Sequence, residues 1–161
     1  MRTMPTHKRN LAMTSMLNDF SYGHVQLLSI CAHLEDIADT LLSRTDTGKC
    51  DRIADNLPPL LTGVCRFEED VLFPWLSATY AENARIGKSL TRLYFEHLED
   101  QAYAAEVAEM LRQISAQRRF ETETAGYMFR GFFEGMRRHI AFEQDHLYHL
   151  ISLQNPTSRG V

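Results

Sequence analysis

Two short segments decide the fold: Arg66-Phe67-Glu68-Glu69-Asp70-Val71-Leu72-Phe73 and Ala141-Phe142-Glu143-Gln144-Asp145-His146-Leu147-Tyr148. Both follow the pattern Phe-Glu-x-Asp-x-Leu and end on an aromatic residue. A histidine precedes each glutamate at a nearly equal distance, His24 before Glu68 and His97 before Glu143. Internal similarity at a fixed offset indicates a repeated supersecondary unit. The repeat predicts two helix pairs, each of which offers a histidine from its first helix and a glutamate from its second.

Four stretches of the chain show the spacing of apolar residues that is typical of amphipathic helices, and strand patterns are absent. The predicted helices span about Ser21 to Arg44, Asp51 to Thr79, Ala81 to Ser115 and Thr122 to Leu153. Short polar connections between long helices favour antiparallel neighbours, so we predict an all-α, up-down-up-down four-helix bundle. The predicted division is a disordered or extended tail over residues 1–20, the bundle over 21–153 and a C-terminal tail over 154–161.

Composition limits the possible functions. The chain has 161 residues, which suit one domain, and a formal net charge of −4 without a sustained basic block. Nucleic acid and anionic membranes are therefore not expected partners. Three cysteines are an odd number and do not indicate a disulfide framework, so a reducing compartment is expected. The polar N-terminal segment resembles neither a secretory signal nor a membrane anchor. We expect a cytoplasmic protein.

The predicted inner faces of the second and fourth helices each carry a carboxylate. Glu68 lies on a stripe with Leu61, Val64 and Leu72, and Glu143 lies one helical turn after His139. An unpaired carboxylate costs several kcal/mol when it is buried. No lysine or arginine occupies these stripes, so a bound metal ion is the economical way to neutralise both acids. Taken alone, each histidine is explained more simply as a core residue that is hydrogen-bonded to a backbone carbonyl.

These residues resemble the haemerythrin-like, HHE cation-binding family of four-helix bundles over about Ser21 to Leu153. The resemblance lies in Phe67-Glu68-Glu69-Asp70-Val71-Leu72-Phe73-Pro74 and Arg137-Arg138-His139-Ile140-Ala141-Phe142-Glu143, with His24 and His97 at matching distances upstream. It implies a site for two non-haem irons that the two glutamates bridge. The ligands that it implies here are His24, Glu68, His97, His139 and Glu143.

One ligand of the family pattern is missing. Four residues before Glu68 the family has histidine, whereas this chain has Val64 followed by Cys65. Valine cannot bind a metal, and Cys65 is about 100° around the helix from the stripe, so we expect it to face a neighbouring helix and not the site. The site then holds two ions, one of them short of a protein ligand, or one ion, or none. Replacement of the lost histidine by a Cys65 thiolate or by His146 stays open.

The sequence also predicts the surroundings and the chemistry of the site. Glu96, Glu99 and Asp100 flank His97; they are expected mostly to form a solvated face, although one of them could accept the proton of its far ring nitrogen. Imidazole and carboxylate ligands suit iron, zinc or manganese, and the resemblance favours iron. The resemblance implies a protein that binds or senses O2 or NO, or that handles iron under oxidative or nitrosative stress. An enzyme is less expected. The alternatives are an iron-dependent oxidase or iron-centre repair enzyme, and a metal-free bundle that serves as an interaction module.

Overall fold

The computed structural model describes residues 6–43 and 45–154, and within these ranges every element is helical. The helices are α1 (Thr6–Thr40), α2 (Thr47–Phe67), α3 (Phe73–Thr79), α4 (Ala84–Ser115), α5 (Thr122–Glu143) and α6 (His149–Leu153). A π-helical turn, Glu68–Leu72, joins α2 to α3, and a second, Gln144–Tyr148, joins α5 to α6. The elements thus form four continuous rods, which confirms the predicted all-α four-helix bundle. None of the described helices has the length and apolar character that crossing a membrane requires.

Side-chain caps begin the second and third rods. The Asp46 carboxylate accepts a hydrogen bond from the backbone N–H of Lys49, and the Asn83 side chain accepts from the N–H groups of Arg85 and Ile86. Such caps satisfy backbone donors that the first helical turn leaves free. The connections between the rods are short and α2 packs mainly on α4, while α1 packs mainly on α5. This packing leaves the interior of the bundle open to side chains from all four rods.

The first helix is longer than predicted. It begins at Thr6 and not near Ser21, so the described part of the expected N-terminal tail is helical. Met13, Met16 and Phe20 lie on one face at helical spacing and are all buried, Phe20 with 1% of its surface exposed. These few apolar residues in a polar stretch are enough to pack the helix on the end of the bundle. Residues 1–5 and 155–161 lie outside the described part, and so does nearly all of the predicted C-terminal tail.

The core consists of two apolar clusters with a polar layer between them. One cluster includes Leu27, Leu61, Ala104 and Ile140, and the other includes Leu72 and its neighbours from the opposite end of the bundle. Four buried polar or charged residues separate the two clusters, one from each rod: His24, Glu68, His97 and Glu143. Buried carboxylates and imidazoles require compensating partners. The fold therefore concentrates its polar groups at a single level of the interior.

Candidate metal centre

The structure brings all five residues predicted as ligands to this level. His24 comes from α1, Glu68 from the turn after α2, His97 from α4, and both His139 and Glu143 from α5. Four of them expose at most 1% of their surface, and the His139 side chain exposes 9%. Their role as metal ligands stays a prediction, but the convergence on which it depends is present.

Both glutamates lie where a regular α-helix gives way to a π-helical turn. Glu68 begins the first of these turns and Glu143 immediately precedes the second. A π-turn inserts an extra residue into a helical turn, and such turns occur frequently at functional sites. The sequence analysis did not predict them, since it assumed regular helices through both segments. The only available signal was the recurrence of the pattern Phe-Glu-x-Asp-x-Leu at both places.

Each carboxylate reaches histidines from more than one rod. The two oxygens of Glu68 lie 3.3 Å from His24 Nε2 and 3.1 Å from His97 Nε2. One oxygen of Glu143 lies 3.0 Å from His24 Nε2, and the other lies 3.3 Å from His139 Nε2 and 3.7 Å from His97 Nε2. Both acids thus span the space between His24 on one side and the other two histidines on the other.

Two groups of three donors, each able to hold an ion, result from this arrangement. One consists of His24, Glu68 and Glu143, and the other of His97, His139 and Glu143. Within each group the donor atoms lie within 4.8 Å of one another. Glu143 belongs to both groups, because its two oxygens face opposite sides of the cluster. A carboxylate in that position is suited to bridge two cations.

The hydrogen bonding of the cluster is incomplete. Within the described residues, the buried side-chain atoms without a hydrogen-bond partner are His24 Nδ1, Glu68 Oε1, His97 Nε2 and Glu143 Oε1. All four belong to the predicted ligands. Buried polar atoms in native proteins are nearly always satisfied, and an exception indicates a water molecule or an ion. No described lysine or arginine pairs with Glu68 or Glu143. The donor set, imidazole nitrogens and carboxylate oxygens, fits a divalent transition metal.

Comparison with known protein families agrees with this geometry. The family model described as "Hemerythrin HHE cation binding domain" matches residues 15–151. The chain belongs to the haemerythrin HHE family. Comparisons with curated proteins and with solved structures give no match. Membership of a cation-binding family supports metal binding, and the ion itself is a matter for the proposal below.

In this haemerythrin-like chain, the two residues at the position predicted to lack a ligand both lie at the cluster. Val64 borders the ligand cluster and supplies no donor. Cys65 faces α4, as expected, but the residue that it meets there is His97, so it lies at the site and not away from it. It is not a member of either group of three donors. Burial raises the pKa of the Cys65 thiol. His146 does not replace the lost histidine, since it is exposed and its Nδ1 bonds to the Phe142 carbonyl at 2.8 Å.

Carboxylates outside the cluster orient two of the histidines. His97 Nδ1 donates to Glu69 at 2.8 Å, and His139 Nδ1 lies 3.1 Å from Asp100 and 3.4 Å from Glu96. Such partners fix the ring tautomer and direct the other nitrogen at a metal. The sequence analysis named the acids of α4 as candidates for holding His97. The structure shows a different partner: Glu69 reaches across from the turn after α2, while Glu96 and Asp100 of α4 face His139.

Protonation balances the charge of the metal-free cluster. Burial alone would lower the pKa of the histidines, but Glu143 and Glu68 raise the pKa of His24 to about 9, and Asp100 and Glu143 raise the pKa of His139 to about 10. Burial would raise the pKa of Glu143, yet the neighbouring imidazoles of His139 and His24 hold it well below its usual range. Imidazolium protons therefore supply the positive charge that the sequence analysis assigned to a metal. A metal ion has to displace them.

We expect the metal-free protein to lose stability as the pH rises. The pKa values of His24 and His139 lie above their ordinary value of 6.5, so protonation stabilises the fold fully below that pH and this stabilisation disappears as the pH rises through 9 to 10. Thermal unfolding of the metal-free protein should show a Tm that falls by roughly 5 °C over this range. Zn²⁺-loaded protein should keep its Tm, since the ion replaces the protons. An equal fall in both forms would contradict the assignment.

Proposed function

We propose that this protein is a non-haem iron protein with an altered di-iron centre that binds or senses O2 or NO, or handles iron under oxidative or nitrosative stress. The observation that carries the proposal is the position of Glu143 in both groups of three donors. A mononuclear site needs only one such group. Two groups that share a buried carboxylate favour two neighbouring ions, with Glu68 as the second bridge.

The donor set suits iron among other metals, and the family favours iron over the others. Three imidazoles and two carboxylates suit iron, zinc or manganese, and a family of HHE cation-binding proteins adds weight to iron. Reduced iron with an open coordination position supplies reactivity towards O2 and NO. The residues of this chain provide the enclosure that such chemistry needs, because His24, Glu68, His97 and Glu143 are almost completely buried.

The open position is expected on the side of His24. On that side His24 is the only described imidazole, whereas His97 and His139 both serve the other side. Val64 stands near His24 where the family supplies a further histidine, and it contributes only methyl groups. An ion with fewer protein donors relies more on exchangeable ligands. The substitution thus provides a place for a small molecule.

The thiols support the proposed compartment. Cys31, Cys50 and Cys65 are buried and free. Free thiols and an easily oxidised iron centre both suit a reducing compartment. The cytoplasm is therefore the proposed location. The proposed partner is a diatomic molecule, and neither nucleic acid nor a membrane is proposed as a partner.

One observation favours an enzyme as the second candidate. His97, His139 and Glu143 form a set of two histidines and one carboxylate, which is the donor set of many non-haem iron oxygenases. An iron-dependent oxidase or an iron-centre repair enzyme would use this set with a substrate or a redox partner. Such a protein would turn over, whereas a sensor binds its ligand stoichiometrically.

Addition of NO to the reduced, iron-loaded protein separates these functions. The protein is loaded with Fe(II) under anaerobic conditions, freed of excess iron and titrated with NO while the visible spectrum is recorded. The proposal predicts a spectral change that saturates at a fixed ratio of NO to iron and is absent from metal-free protein. Repeated consumption of O2 in the presence of a reductant would favour the enzyme. Failure to take up iron would favour the metal-free interaction module and contradict the proposal.

A further inference from the structure

Two openings on the surface border the metal centre, and their chemistry is opposite. One lies between α4 and α5 above His139, has a volume of about 240 Å³ and is lined mainly by charged side chains. The other is a groove between α1 and α2 with a volume of about 320 Å³ and a mainly apolar lining that includes Phe20, Leu60 and Phe67. Each opening ends on a residue that also borders the ligand cluster, His139 in the first and Val64 in the second.

The opening above His139 is lined mainly by charged side chains. Arg92 pairs with Glu96 at 2.9 Å, and Glu96 and Asp100 both face His139 Nδ1. Arg138 and Glu99 add further charges to the lining. Removal of water from such groups is costly. Entry of an apolar molecule into this opening is therefore energetically unfavourable.

A residue without a side chain, Gly63, lines the groove between α1 and α2. Gly63 lies on the exposed side of α2, and a Cβ atom placed there would have no other atom within 4 Å. Around it lie Phe20, Leu60, Val64 and Phe67. The apolar lining makes this groove favourable for small apolar molecules, as known apolar cavities are for xenon.

Val64 is the wall between this groove and the metal centre. Its side chain lines both spaces, and its Cγ2 atom would be 2.8 Å from a Cβ placed on Gly23 of α1. The methyl groups therefore pack directly on the backbone of α1, where only glycine leaves room. The wall is one side chain thick, and a valine in a helix keeps one strongly preferred rotamer.

We propose that an apolar diatomic ligand, O2 or NO, reaches the metal centre through the groove between α1 and α2, with Val64 as the residue that limits its entry. The inference rests on the proposed function for the identity of the ligand. The groove ends at Val64, beside the group of His24, Glu68 and Glu143, which has one imidazole where the other group has two. The replacement of a ligand by valine thus both frees a coordination position and makes the wall in front of it apolar.

Xenon tests the groove without any metal. Crystals of the metal-free protein under xenon pressure should show xenon at the floor of the groove, in contact with Val64. Gly63→Leu should remove it, because the new side chain fills the groove, whereas Gly135→Leu should leave it in place. Absence of xenon from the groove, or its persistence in Gly63→Leu, would overturn the inference whether or not the protein binds iron.

Three glycines give a matched kinetic test. Gly63 lies in the apolar groove, Gly135 lines the charged opening, and Gly87 on α4 belongs to neither. At each of them an added Cβ meets no atom within 4 Å, and leucine is a better helix former than glycine, so all three variants should fold. In stopped-flow mixing of NO with iron-loaded protein, Gly63→Leu should slow binding about tenfold. Gly135→Leu and Gly87→Leu should keep the wild-type rate, and Val64→Ala should bind faster.

The outcomes of these experiments separate a failure of the proposed entry route from a failure of the proposed function. Slowing in Gly135→Leu with an unchanged rate in Gly63→Leu would assign entry to the charged opening and overturn the inference, while NO binding itself would uphold the proposed function. An iron-loaded protein that does not bind NO would contradict the proposed function, and the xenon experiment would still decide whether the groove takes up an apolar gas.

Discussion

Glu143→Ala is expected to abolish metal uptake, from about two ions per chain to near zero. Glu143 is the one side chain that belongs to both groups of three donors, so its loss leaves each group with two. It also removes one of two negative charges from a cluster of three imidazoles, which raises the cost of placing a divalent cation there. The measurement is the metal content of protein loaded anaerobically with Fe(II) and freed of excess ion, together with circular dichroism to verify the fold.

Two further variants make this experiment decisive. Glu143→Gln keeps the shape of the side chain and removes its charge, so it should also lose metal even if the alanine variant folds poorly. Glu109→Gln changes an exposed acid of α4 and should keep full loading. Full loading of Glu143→Gln would show that the ligand assignment is wrong.

Val64→His is expected to raise the affinity for iron at least about tenfold, the size of effect that even indirect ligand contacts produce. Position 64 borders the ligand cluster and is the position at which the family has a histidine. An imidazole there would complete the group of His24, Glu68 and Glu143 with a fourth donor. The variant should also show a stronger visible absorption after oxidation, since more of its sites are filled. Titration of metal-free protein with Fe(II) measures the affinity.

Leu60→His is the matched control for this variant. Leu60 lies one helical turn earlier on α2 and lines the outer groove, but it does not border the ligand cluster. The same new side chain should therefore leave iron affinity unchanged. Equal effects of the two substitutions, or none from Val64→His, would mean that position 64 does not face the metal.

The fold was predictable because four rods carry long apolar stripes. The start of α1 was not, since Met13, Met16 and Phe20 are separated by mostly polar residues, and Met16 and Phe20 are buried against partners such as Leu72 and Leu147, far away in the sequence. The two π-turns were missed for a different reason. A π-turn adds one residue to a helix and hardly changes the apolar spacing from which a helix is predicted.

The convergence of the site was predictable, and its surroundings only in part. Buried acids on apolar stripes identified Glu68 and Glu143, and the matched histidines followed from the repeat. The partner of His97 could not be predicted, because Glu69 and the acids of α4 are all close to it in a helical bundle and only the rotation of α4 decides which is in reach. The direction in which Cys65 faces was predicted correctly. The residue that it meets there could not be predicted, because it depends on how α2 and α4 align.

Anomalous diffraction at the iron edge tests the central claim most directly, on crystals grown anaerobically with Fe(II). The account predicts two peaks inside the bundle, one bounded by His24, Glu68 and Glu143 and the other by His97, His139 and Glu143. Crystals of iron-loaded protein with no peak at this level of the interior, or with either glutamate turned to solvent, would contradict it.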